Sequence, residues 1–255
     1  MGSWGQGPLG TALRYQVYIE GRGTHRMGHI LALPGCCARG RTRAEVLRSL
    51  PGAVREHGEW LDRHGEGPGE EGTEVSFDVA EDVVGTGPFN PGDAAALFSV
   101  ERSPVSPGEI EDCLRLMSYS RSDLLELAGS LPDKVLDWCQ SRTEFSLRIV
   151  LRHIGNAEQW YISRLFEPDQ LPQEWAADRT LPVFEFLDLE RRGCIGCLRR
   201  LDERQRCEVF RPTHYTDHPE EEWTARKVLR RFVEHEREHT RQARAILAAY
   251  QARKP

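Results

Sequence analysis

The spacing of apolar residues changes once along this chain, and that change limits what it can fold into. Up to about residue 80 the apolar positions alternate. In YQVYIE, Tyr15, Val17 and Ile19 fall on one side of an extended segment. In MGHILAL, Met27, His29, Leu31 and Leu33 share a face, and in EVSFDVAE, Val75, Phe77 and Val79 do the same. A period of two carried by β-branched and aromatic residues specifies strands. The Gly-rich EGRGTH between the first two reads as a hairpin turn. Between the second and third strands, Thr42 and Glu45 have the spacing of a capping box. Val46, Leu50, Ala53, Val54 and Leu61 then recur at helical spacing, and Pro51 predicts a kink or a restart. RHGEGPGEEG, from Arg63, reads as a loop. The order strand, strand, helix, strand predicts an α+β domain over residues 10–82, an antiparallel sheet carrying one helix.

Residues 83–106 are rich in Pro and Gly and read as a linker, with Ala94–Phe98 apolar enough to pack. From Pro107 no alternation is left. Four helical stretches are expected at about 107–129, 143–166, 182–204 and 221–251, with Pro107, Pro132, Pro172, Pro182 and Pro219 near their starts or between them. Thr216 or Asp217 is expected to cap the last of them. Four long helices on short linkers predict an all-α four-helix bundle over 107–252.

Composition removes several function classes. The chain is 39% apolar and 29% charged, as in a globular protein with a core. Its net charge of -6 makes a nucleic-acid partner unlikely. The pairs Arg199-Arg200 and Arg230-Arg231 read as solvated helix faces. No apolar run approaches the ~18 residues of a membrane span, and the N-terminal MGSWGQGPLGT lacks the basic start and apolar stretch of a signal peptide. Seven scattered cysteines are no disulfide framework, so a reduced, cytoplasmic location is expected. Cys194 and Cys197, one turn apart mid-helix, read as small semi-buried residues, and Cys36 and Cys37 as turn residues. No phosphate-binding loop or nucleophile elbow occurs.

The histidines carry more. Val228, Phe232, His235, His239, Ala243 and Ile246 are spaced 4, 3, 4, 4 and 3 apart, one stripe of the last helix. Its apolar members place His235 and His239 toward the bundle, with Glu234, Glu236, Arg237 and Glu238 on other faces. A buried imidazole needs hydrogen-bond partners or a metal, and a pair at i and i+4 can reach one point. His153, on the second helix among Ile149, Val150, Ile154, Ala157 and Trp160, supplies a third ring. Three neutral imidazoles suit zinc, nickel or iron(II) and leave open positions for water or substrate. The competing reading is that each ring is an ordinary core or surface histidine. His25, His29, His57 and His64 read that way, as structural or solvated residues. Glu158 is a candidate to orient a ligand. His214, on the loop before the last helix, is a candidate substrate contact.

LRHIGNAEQWYISRL, followed some eighty residues on by ARKVLRRFVEHEREHTRQARAIL, resembles the DinB/YfiT-like family over about residues 107–250. The resemblance implies an up-down-down-up four-helix bundle. It also implies a metal triad of one histidine from the second helix and a His-x-x-x-His pair from the last, at His153, His235 and His239. The cluster Glu158, Trp160 and Tyr161 looks familial too, which adds Tyr161 as a substrate contact. It further implies a metal-dependent S-transferase or hydrolase acting on a small molecule, with a low-molecular-weight thiol as cosubstrate. Residues 13–80 resemble the HicB-like antitoxin fold through LPGC after the second strand and G-x-T-x-x-E entering the helix. A bundle follows where that family carries a DNA reader. The rival expectation is therefore a non-catalytic regulatory protein. Its HicB-like half would dock a partner or mediate homodimerisation, and its metal would be structural.

Overall fold

The fold is given by a computed structural model, which describes residues 13–66, 74–141 and 143–253. The first residues of the expected α+β domain and most of the glycine-rich loop after Arg63 lie outside them. By its contacts the chain divides into two compact units, Met1–Ala96 and Leu97–Pro255.

The first unit holds β1 (Leu13–Arg22), β2 (His25–His29), β3 (Cys37–Gly40), α1 (Arg43–Arg63) and β4 (Val75–Val84). The sheet order is β3-β2-β1-β4. β2 is antiparallel to both β1 and β3, but β4 runs parallel to β1. The expected antiparallel sheet is thus a mixed one. The cause is β3, four residues too short to show a period. It adds one reversal of direction, so the chain enters α1 heading the opposite way, and the crossover lays β4 down parallel to β1. The second strand also stops earlier than its alternation suggests. Ile30 N–H bonds to the Cys36 carbonyl (3.0 Å) and Cys36 N–H to the Leu33 carbonyl (2.8 Å), so Leu31 and Leu33 sit in a turn.

Thr42 caps α1 by accepting from Glu45 N–H at 3.1 Å, while the Glu45 carboxylate accepts from Arg41 N–H rather than from Thr42. The helix runs unbroken through Pro51, without the expected restart. It lies close on the sheet because Gly28 has no side chain: a Cβ there would stand 2.5 Å from Val46 Cγ1. Val17, Ile19, Ile30, Ala38, Val46 and Leu50 fill the space between. Glu20 and His29 are fully buried with them and satisfy one another at 3.0 Å, and Glu20 also accepts from Ala96 N–H at 2.6 Å. The expected linker is therefore structured, its first part belonging to the sheet unit and residues from Leu97 to the helical one.

The second unit contains α2 (Pro107–Ala128), α3 (Asp133–Leu136), α4 (Leu147–Ile162), α5 (Val183–Arg199), α6 (Glu203–Cys207) and α7 (Ala225–Ala252). The four long helices form the bundle: α7 packs on α2 and α4, and α5 packs on α4 and α2. Ser106, Ser146 and Thr224 cap α2, α4 and α7. The cap of α7 is thus Thr224 and not Thr216 or Asp217; Thr216 instead accepts from His218 N–H within the preceding loop. Leu124, Leu136, Leu151, Ile154, Phe186 and Ala243 belong to one core cluster. No helix of the described residues is long and apolar enough to cross a membrane.

The interior is also charged. Arg230, Arg231, Glu234, Glu236 and Arg237 are all buried, contrary to the solvated face expected for the Arg230-Arg231 pair; Arg199 and Arg200 are exposed. The reason is the position of α7, which is covered by its neighbours on more than its apolar stripe. Burial of charge at this density requires pairing. Glu236 accepts from Arg121 and Arg191 (2.6 Å each), and Glu158 accepts from the same two (2.9 and 2.5 Å). The two arginines also donate to helix carbonyls, Arg121 to Leu187 (2.8 Å) and Arg191 to Met117 (2.7 Å), which ties α2 to α5.

Candidate metal centre

Two helices build the site. The α4 stripe that buries Val150, Ile154 and Ala157 carries His153 at its edge, and the α7 stripe carries His235 and His239 one turn apart. His235 is buried, while His153 and His239 are half-buried, so the cluster has a wet side. The three rings meet through their Nε2 atoms: His235 to His153 at 3.0 Å and His235 to His239 at 3.1 Å. Each ring offers a ligand atom within 4.8 Å of the others.

This arrangement is hard to satisfy with hydrogens alone. A neutral imidazole nitrogen carries either one proton or one lone pair. His235 Nε2 faces two other Nε2 atoms and cannot donate to both. The Nδ1 of His239 lies 2.6 Å from Gln242 Oε1, an acceptor, so that ring's proton sits on Nδ1 and its Nε2 presents a lone pair. Extra protons are disfavoured, since burial and then the charge of His239 push His153 down to about 4. A divalent cation satisfies all three lone pairs together. Nitrogens about 2.0–2.1 Å from one ion at tetrahedral angles stand roughly 3.3 Å apart, close to the 3.0 and 3.1 Å between His235 and the other two rings. The donor set therefore fits a metal, with room left for exogenous ligands.

The other candidates fall at different distances from the triad. Tyr161 is buried with its ring edge on His235, centroids 5.7 Å apart, and its hydroxyl 3.4 Å from Arg231 Nη2. Burial pushes its phenol above the usual range. Glu158 is bonded to Arg121 and Arg191 and makes no hydrogen bond to the histidines. His214 is half-buried in the loop before α7, with Tyr215 beside it and its carbonyl accepting from Arg164 at 3.1 Å; no hydrogen bond joins it to the triad among the described residues. That loop is pinned to α4 by Trp160 Nε1, which donates to the Tyr215 carbonyl at 2.7 Å. Gln242 and Arg231 escaped sequence reasoning. Gln242 had a signal, its position three residues beyond His239; Arg231 had none, being one arginine among many on α7. Cys194 and Cys197 are free and buried, and burial raises both thiols, Cys197 to about 11.

Residues 116–243, half of the chain, match the sequence profile described as the DinB superfamily. Among solved structures the chain is similar to YfiT from Bacillus subtilis, described as a probable metal-dependent hydrolase with an unusual four-helix bundle topology. The identity is 17%, with 62% of this chain and 94% of that one covered at a TM-score of 0.44. No curated protein sequence matches.

Proposed function

This chain belongs to the DinB superfamily, and we propose that its bundle is a metal-dependent enzyme acting on a small molecule, with His153, His235 and His239 as the ligands. The observation that carries this reading is the meeting of three Nε2 atoms that protons cannot jointly satisfy. Three imidazoles suit zinc, nickel or iron(II). Such an ion would supply positive charge that lowers the pKa of a water or a low-molecular-weight thiol held beside it. The reaction class is attack by that nucleophile on an electrophile, as a hydrolase with water or an S-transferase with a thiol.

The chain's own residues have defined parts in this. His235 packs against Tyr161 with the two rings nearly perpendicular, which restrains its orientation. The half-exposed His153 and His239 form the side from which substrate enters. Tyr161 is the aromatic wall nearest the ligands. His214, on the pinned loop, is a more distant candidate contact.

The test is elemental analysis and chelator competition on the wild type and on His153→Ala, followed by turnover of electrophile panels with water or thiols. About one ion per chain in the wild type and a large loss in the variant are expected. Equal metal content in both proteins would refute the site. Full occupancy with no metal-dependent turnover on any substrate would leave the rival reading, a structural metal. For the sheet unit the reading is a HicB-like interaction module. It is supported by β4, a ten-residue strand paired on one side only among the described residues. An edge of that length can accept another strand, including that of a second copy. Cross-linking and sedimentation of the full chain would test it.

A further inference from the structure

Of the three rings proposed as ligands, His239 has its outer nitrogen held by a side chain of its own helix. We infer that Gln242 is the positioning residue of the centre: it fixes the tautomer and the plane of His239 and so sets how tightly the triad grips its ion. This rests on the metal reading above but names a residue and a function beyond it. His239 and Gln242 are three apart on α7 and share a face. Their contact, His239 Nδ1 to Gln242 Oε1 at 2.6 Å, is a short hydrogen bond. The amide oxygen has no proton to give, so Nδ1 must donate. The ring is then committed to the tautomer whose Nε2 lone pair points at His235 and the cluster centre.

An outer-sphere acceptor of this kind does two things. It removes the ring flip and the wrong tautomer that a half-exposed histidine would otherwise sample, and it raises the basicity of the ligating nitrogen. His239 needs this more than His235. It is half-buried, whereas His235 is packed and carries the edge of Tyr161. His153 has no protein acceptor on Nδ1 among the described residues, so none of them commits its tautomer. Loss of such a partner typically weakens a metal site 10–100-fold.

The experiment uses the full chain, with zinc and cobalt as the probes. Affinities come from chelator competition, and the cobalt absorption bands report the ligand field. Wild type, Gln242→Leu, Gln242→Glu and His239→Ala are compared. Separately, side-chain nitrogen NMR of the metal-free protein reads the tautomer of His239, assigned by its absence in His239→Ala. The expected results are a tenfold or larger loss for Gln242→Leu, tighter binding for Gln242→Glu, and shifted cobalt bands at an unchanged melting temperature of the metal-free protein. In the metal-free wild type, His239 should carry its proton on Nδ1, and Gln242→Leu should abolish that preference. If Gln242→Leu binds zinc like the wild type while His239→Ala does not, the role of Gln242 is overturned and the metal site stands. If His239→Ala binds as tightly as the wild type, the metal reading falls. The tautomer then decides alone: an unchanged tautomer in Gln242→Leu overturns the positioning role, and a changed one supports it.

Discussion

Removing one member of the buried ion cluster should cost far more than removing a balanced pair. Arg121, Arg191, Glu158 and Glu236 carry two positive and two negative charges, and their side chains are 1–10% exposed. Glu236→Leu leaves two guanidinium groups facing one carboxylate, a net buried charge of +1. Breaking a buried pair from one side typically costs 3–5 kcal/mol, a large part of the 5–15 kcal/mol that holds a domain together. Arg121→Met alone should cost a similar amount through the opposite imbalance. The double variant, by contrast, leaves Arg191 and Glu158 as a neutral pair joined through two nitrogens, at 3.2 and 2.5 Å. Apolar replacement of both partners is often neutral or stabilising. The double variant should therefore lie within about 1–2 kcal/mol of the wild type, a coupling of roughly 4 kcal/mol or more. Urea unfolding followed by hydrogen exchange of α7 amides gives the comparison. With a slope of roughly 2 kcal/mol/M, each single variant should shift the midpoint by about 2 M. Additive losses in the double variant would show that the cluster is not a charge-balanced unit. A loss below about 1 kcal/mol in Glu236→Leu would show that the site is wet enough to screen the imbalance.

Three further outcomes are expected. Gly155→Ala, two residues after His153, would place a Cβ 2.4 and 2.7 Å from two carbons of the buried Phe186 ring. Overpacking of about 1–3 kcal/mol should outweigh the gain of about 1 kcal/mol from helix propensity, and adding Phe186→Leu should restore stability; a higher melting temperature for Gly155→Ala alone would contradict the packing. Glu109 is held down at about 2 by Arg226 and then by the Ser106 N–H at the start of α2. Its folded pKa lies below the ordinary 4.5, so its contribution is present above that value and is lost as pH falls toward about 2. The stability gap between wild type and Glu109→Gln should shrink over that window, and a gap constant across it would refute the assignment. Of the seven cysteines, Cys139 and Cys207 are exposed and should react rapidly with thiol reagents. Cys113, pushed up to about 12, and Cys194, both buried, should react only on unfolding; rapid labelling of either in the native protein would contradict their burial.

What the sequence made legible was local in kind. The triad could be read because both of its signals are short-range: a four-residue repeat on an apolar stripe of α7, and one histidine at the edge of another stripe. Period alone placed four long helices and three strands. β3 was lost because four residues are too few to show alternation, and that one omission reversed the inferred direction of β4. The charges of α7 were misread for a different reason. Arg230 looks like a solvent residue because its partner Glu101 lies 129 positions away, and Glu236 likewise pairs with Arg121, 115 positions away. A charged residue declares itself buried only through its partner, and the partners of Glu236 come from α2 and α5.

His235 sits next to Glu236 in the chain, so the ion cluster and the triad are two faces of one turn of α7. Glu236 anchors that turn to Arg121 on α2 and Arg191 on α5. Glu158 anchors α4 to the same two arginines, five residues beyond His153. The two helices that carry the three histidines are thus referenced to one pair of guanidinium groups. An apolar core tolerates slippage between helices at modest cost, whereas bidentate ion pairs fix both distance and rotation. Metal ligation from two helices needs that fixity, because a small displacement of one ring changes the coordination geometry. On this argument the double variant that keeps stability should still weaken zinc binding, since it removes the ion pair that ties the His235 turn of α7 to α2. Equal affinity in the stable double variant and the wild type would show that packing alone positions the rings.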